Sequence, residues 1–292
     1  MFKTVIVATD LSAASDAVIA ELAFLRPLGT ETAILCHALG IHGHETLFSM
    51  LALFVEPRLK QQQERLERHG FKVIVEIAPG VPALEIHRVA SDRGAGLIVV
   101  GSKGATLASE VLLGGTATEV LHHATIPVLI IRLAVDEENG VPRCRPVLAG
   151  PILGVLHPTD FSMAAMKSFA TVEDLASKGV GRIVLLHVCG VDMPELVHKY
   201  TAELEFLKQR LFKRGIKDVS MEVLVGDSGR EIVARASRGD SDLIVMGSQG
   251  QSLFEEVFLG SVGHYVARHA PVPVLLVPFT GPKSGSSAGV KS

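Results

Sequence analysis

Two copies of one nine-residue stretch decide the fold: GLIVVGSKG at 96–104 and DLIVMGSQG at 242–250. After nine more residues, each is followed by another glycine, in Gly114-Gly115 and in Gly260-Ser261. A short, wholly apolar run that ends in turn residues reads as a strand buried on both faces. Glycines at fixed places after such a strand mark a backbone that turns tightly or meets a ligand closely. Phosphate is the commonest such ligand. The stretch predicts a strand ending in an anion-binding loop, built twice.

The repeat extends outward from these loops. TVIVATDLS (4–12) matches GVLHPTDFS (154–162), TAILCHAL (32–39) matches RIVLLHVC (182–189), and IPVLIIRL (126–133) matches VPVLLVPF (272–279). GVPALEIHRVASDRGAGLIVV (80–100) likewise matches GDSGREIVARASRGDSDLIVM (226–246). Apolar strands alternate with amphipathic patterns such as 60–69 and 199–214, which are the outer helices of an α/β unit. Ser12 and Ser162 are placed to open the first helix of each copy. The prediction is two doubly wound α/β domains, each a five-stranded parallel sheet flanked by helices, at 1–134 and 151–279. Residues 135–150, rich in charge, Gly and Pro, read as a linker, and 280–292 as a disordered tail.

Composition narrows the partners. The 292 residues are 48% hydrophobic with a net charge of -3 and no long basic run, which argues against a nucleic-acid footprint. The N-terminal apolar run is too short for a signal segment or a membrane span, so a soluble, cytoplasmic protein without membrane contact is expected. Cys36, Cys144 and Cys189 have no CxxC spacing and do not recur between the copies, against both a disulfide framework and a zinc site. His42 with His44, and His122 with His123, also lack the surroundings of a metal site.

In an open parallel sheet, ligands bind beyond the carboxyl ends of the strands, where strand order reverses. Asp10 and Asp160 end the first strands, Ala38 and Val188 the second, and the glycine loops the fourth. Gly260-Ser261 then opens a helix whose free N–H groups and positive dipole end suit a phosphate. Asp160 has two readings, as an acceptor for ribose hydroxyls and as a turn or capping residue. His37 and His187, inside the second strands, read as structural.

Together, PTDFS after strand one, LLHV in strand two and G-x2-G-x9-G-S after strand four resemble the universal stress protein family in its ATP-binding branch. The resemblance covers nearly the whole chain, twice. It implies a Rossmann-like fold of the adenine nucleotide alpha hydrolase type that binds ATP or AMP. It further implies adenine against the end of strand two, ribose near the strand-one Asp, and phosphates in the glycine segment. Carried onto this chain, the second site is Pro158, Thr159, Asp160, Val188, Met246, Gly247, Gly250, Gly260, Ser261 and Val262. The first is Ala8, Thr9, Asp10, Ala38, Val100, Gly101, Gly104, Gly114, Gly115 and Thr116. Ala8, Ala38 and Gly115 depart from the family pattern, and Lys103 replaces Gln249, so two unequal sites are expected, the second dominant.

Neither loop is a Walker A sequence, and no nucleophile with an adjacent base stands in them, which favours binding over turnover. A sensor or regulator that meets a protein partner is the leading expectation. A slow ATPase or autokinase, with Mg or Mn accompanying the bound ATP, is the alternative. Glu85 and Glu231 recur on the third helices, with Arg88 and Arg235 in reach as helical ion pairs. The fifth strands pair domains in the family, so the two copies are expected to pair within the chain, with a homodimer of chains also open.

Overall fold

The computed structural model describes residues 2–41, 43–104, 113–138, 141–148, 150–190, 196–250 and 259–279. The expected tail at 280–292 and His42 lie outside the described residues. The first repeat runs β1 (Thr4–Ala8), α1 (Ala13–Glu21), β2 (Thr32–Ala38), α2 (Glu45–Arg68), β3 (Lys72–Ala78), α3 (Pro82–Asp92), β4 (Leu97–Gly101), α4 (Gly115–His122) and β5 (Val128–Ile131). After a hairpin of β6 (Leu133–Glu138) and β7 (Val141–Pro146), the second repeat follows. It runs β8 (Gly154–Pro158), α5 (Met163–Ala176), β9 (Arg182–Cys189), α6 (Val197–Lys213), β10 (Asp218–Val225), α7 (Ser228–Ala236), β11 (Leu243–Gly247), α8 (Ser261–His269) and β12 (Val274–Val277).

Within each repeat the strands are parallel, in the order third, second, first, fourth, fifth. The order reverses between the first and fourth strands, which opens a crevice at their carboxyl ends. The fifth strands β5 and β12 pair antiparallel, with Leu129 opposite Leu275, so both repeats share one ten-stranded sheet. Each fifth strand thereby covers the other's open edge. Arg132, just beyond β5, reinforces the junction by donating to the Ala267 and Arg268 carbonyls at the end of α8, both at 3.0 Å.

Alternate strand residues feed opposite faces. Val5, Val7 and Leu35 face α1 and α2, as Val155 and Leu185 face α5 and α6, in one apolar layer. Ile6, Ile34 and Ile98 face α3 and α4, as Leu156 and Ile244 face α7 and α8, in the other. The segment read as a linker is more ordered than its composition suggested. Its strands β6 and β7 pair antiparallel and pack on α1, and Cys144 is partly buried against the core there.

One core residue departs from its counterpart. His157 stands on β8 where β1 has Val7; it is fully buried, with its ring 5.5 Å from that of Phe169. Its Nδ1 is 2.8 Å from the Val245 carbonyl, while Nε2 has no partner among the described residues. Burial pushes its pKa down from 6.5 to about 4, against the opposing pull of the Val245 carbonyl and Asp160. The unfolded chain takes up this proton near 6.5 and the folded chain only near 4, so stability falls as pH drops through that window and levels off below it. The loss is on the order of 3 kcal/mol. His157→Val is expected to remove it. Urea unfolding of both proteins from pH 7 to pH 4 checks this, and parallel stability profiles would contradict it.

Candidate functional site

The turn after the first strand is built on one plan in both repeats, with Ser15 adding bonds to Asp10 that Ala165 cannot make to Asp160. Leu11 and Phe161 adopt left-handed backbone (φ 62° each), a strained state for residues with large side chains. Flanking side chains hold the turn. Thr9 Oγ1 accepts from Leu11 N and Thr159 Oγ1 from Phe161 N, both at 3.0 Å. Asp10 Oδ1 accepts from Ser12 N at 3.1 Å, and Asp160 Oδ1 from Ser162 N at 3.0 Å. Ser12 and Ser162 then cap α1 and α5. The turn reading of Asp160 therefore holds for Oδ1, while Oδ2 faces Gly250, as the Oδ2 of Asp10 faces Gly104.

The histidines of strand two brace the same turn. His37 Nδ1 lies 2.9 Å from the Thr9 carbonyl and His187 Nδ1 2.7 Å from that of Thr159. Burial lowers the pKa of His187, and Tyr200 covers its ring, with the centroids 3.9 Å apart. His37 instead lines its cavity.

The glycine loop returns to its own start. Gly114 N donates to the Ser102 carbonyl at 2.9 Å, and Gly260 N to that of Ser248 at 2.8 Å. This closure brings the first turn of α4 beside Gly104 and that of α8 beside Gly250. Gly114 and Gly260 are the N-caps, so neither helix has a side-chain cap and its first amides keep their donor capacity. Together with the dipole, they make the edge a receptor for anions.

These parts enclose a cavity in each repeat. All ten residues named for the second site, from Pro158 to Val262, line a cavity of about 250 Å³. All ten named for the first, from Ala8 to Thr116, line one of about 460 Å³, joined there by Lys103. Sequence reasoning missed one wall of each. Pro82 and Ile86 of α3, and Ser228 and Ile232 of α7, complete the cavities. The recurrence of Ile86 and Ile232 beside the two glutamates is the signal in the sequence that marks this wall. The glutamates beside them differ: Glu85 pairs with Arg88 at 2.8 Å, whereas Arg235 does not pair with Glu231. Arg235 is turned inward, 3% exposed, and bridges Glu222 and Asp240 at 2.8 and 2.7 Å.

The glycines divide by cause. A Cβ on Gly247 would lie 3.0 Å from the Ala164 backbone of α5, and one on Gly250 would lie 2.9 Å from Asp160 Oδ2. Packing within the chain is a sufficient reason for a glycine at both, beside the close ligand approach expected from the sequence. Gly260 is otherwise: its φ of -70° suits any residue, and among the described residues its Cβ would meet nothing nearer than the Ser248 carbonyl at 3.6 Å. Gly114 is equally relaxed, with φ -67° and, among the described residues, nothing nearer than 3.8 Å.

Comparison with known proteins agrees with this architecture. The model of the universal stress protein family matches residues 1–132 and 154–278. The chain belongs to the universal stress protein family, with the domain present in tandem. It is 32% identical to universal stress protein Rv2623 of Mycobacterium tuberculosis over 216 residues, which cover 69% of this chain and 67% of the relative. A universal stress protein structure from Archaeoglobus fulgidus superposes with a TM-score of 0.77, covering 94% of this chain and 98% of that one at 24% identity. A solved universal stress protein in complex with cAMP matches 43% of this chain at 25% identity, with a TM-score of 0.36.

The division among the glycines is open to direct test. Gly250→Ala should force the Asp160 carboxylate aside and destabilise the fold by about 1–3 kcal/mol. Gly260→Ala should stay within about 1 kcal/mol of wild type. Denaturant unfolding of the two variants checks this, and equal losses would contradict it.

Proposed function

We propose that the chain binds adenine nucleotides, one in each repeat, with phosphates at the starts of α4 and α8 and the base against the ends of β2 and β9. The carrying observation is Gly260. Neither its backbone conformation nor its neighbours among the described residues require a glycine, yet it opens an uncapped helix that lines a cavity. A ligand in close contact with the backbone supplies the missing reason. Ser261 adds a hydroxyl donor to the amides there, and Asp160 Oδ2 stands on the opposite side as an acceptor for ribose hydroxyls.

The residues suit binding and signalling. Among the described residues, no group of three His, Cys, Asp or Glu side chains could hold a metal ion, so Mg or Mn would enter on the phosphates of ATP. Occupancy would change the surface a protein partner meets, the mode of a sensor. Among the described residues no helix is long and apolar enough to cross a membrane. The second repeat binds more tightly, because Gly115 in the first lacks the hydroxyl of Ser261 and Ala38 offers less contact than Val188.

Titration calorimetry with ATP, ADP and AMP tests this. Binding is expected, weakened at least tenfold by Gly260→Ala at the tighter site. Gly115→Ser should strengthen the weaker site, since among the described residues nothing lies within 4 Å of the added Cβ. No nucleotide binding by wild-type protein would end the reading. Phosphate release above background with Mg or Mn would turn it towards an ATPase.

A further inference from the structure

The two cavities differ in size, 460 Å³ in the first repeat and 250 Å³ in the second, and the difference has a location. At the strand ends every change from the second repeat to the first is towards a smaller side chain. Leu186 becomes Cys36, Val188 becomes Ala38, Met246 becomes Val100, and Pro158 becomes Ala8. These positions are contiguous, since Ala8 pairs with Cys36 on the neighbouring strand and Pro158 with Leu186. At the helix starts the changes run both ways: Gln249 becomes the longer Lys103 and Gly263 becomes Ala117, while Ser261 becomes Gly115. The four strand-end changes point to extra room where β1, β2 and β4 end, away from the anion-binding amides.

We infer that the first cavity is the specificity site for a purine nucleotide bulkier than adenine at its base end, while the second admits adenine alone. This rests on the nucleotide reading of both cavities. A close-packed wall rejects added volume, because forcing atoms into a filled site displaces side chains from their rotamers. Met246 and Val188 form that wall in the second repeat; Val100 and Ala38 leave it open in the first. For plain adenine the same openness lowers contact in the first cavity, so one set of substitutions gives both its weaker grip on adenine and its tolerance of a larger base.

The probe is N6-benzyl-ATP, titrated beside ATP into the full-length protein. ATP should fill two sites per chain and N6-benzyl-ATP one. Ala38→Val with Val100→Met, which install the second repeat's residues, should abolish N6-benzyl-ATP binding and tighten ATP at that site, with an unchanged cooperative unfolding transition as the separate check that the variant is folded. Val188→Ala with Met246→Val should raise N6-benzyl-ATP to two sites. The inference is overturned if N6-benzyl-ATP fills both wild-type sites, if it fails to bind protein that binds ATP, or if the first-cavity pair leaves its binding intact. Failure of ATP itself to bind would be a different result; it removes the nucleotide reading and the inference with it.

Discussion

The structure is organised around one hydrogen bond, made twice: the amide of the N-cap glycine donates to the serine carbonyl at the end of the fourth strand. That bond folds the glycine loop back on its origin and sets the start of a helix against the carboxyl edge of the sheet. Parallel strands gather the other loops at the same edge, so the helix start meets the Thr-Asp turn of strand one across a short gap. Because the cap is glycine, the N-cap residue has no side chain with which to take up the first amides. Their satisfaction is left to what enters the cavity.

The surrounding side chains make the gap rigid. Thr159 and Asp160 hold Phe161 in left-handed backbone, while His187 grips the carbonyl of Thr159. Thr9, Asp10 and His37 do the same around Leu11. A site whose walls are set before the ligand arrives loses less conformational entropy on binding. The bond to the carbonyl also keeps the buried His187 imidazole and the half-buried His37 imidazole paired, which fits their structural reading.

Much of this was legible in the chain because duplication marks positions. The doubly wound sheets and the crevice at their carboxyl edge followed from apolar runs and recurring glycines, while the named lining residues came from the family resemblance that those motifs carry. The physical reasons were less legible. Gly247 and Gly250 are small because Ala164 and Asp160 press on them, a tertiary contact that spacing cannot convey. Ile86 and Ile232 reach the cavities because their helices lie across the crevice, which a helical pattern alone does not reveal. Arg235 abandoned its helical partner for Glu222 and Asp240, where a buried guanidinium satisfies more of its donors. The hairpin at 133–146 was hidden by its linker-like composition.

The central claim is that phosphate is held by the first amides of α8. Amide-resolved NMR of the isotopically labelled protein tests it most directly, with ATP compared against adenosine. ATP should shift the amides of Ser261, Val262 and Gly263 strongly, while adenosine should leave them near their starting positions and move Val188 and Met246 instead. ATP shifts that spare all three helix-start amides would contradict the account.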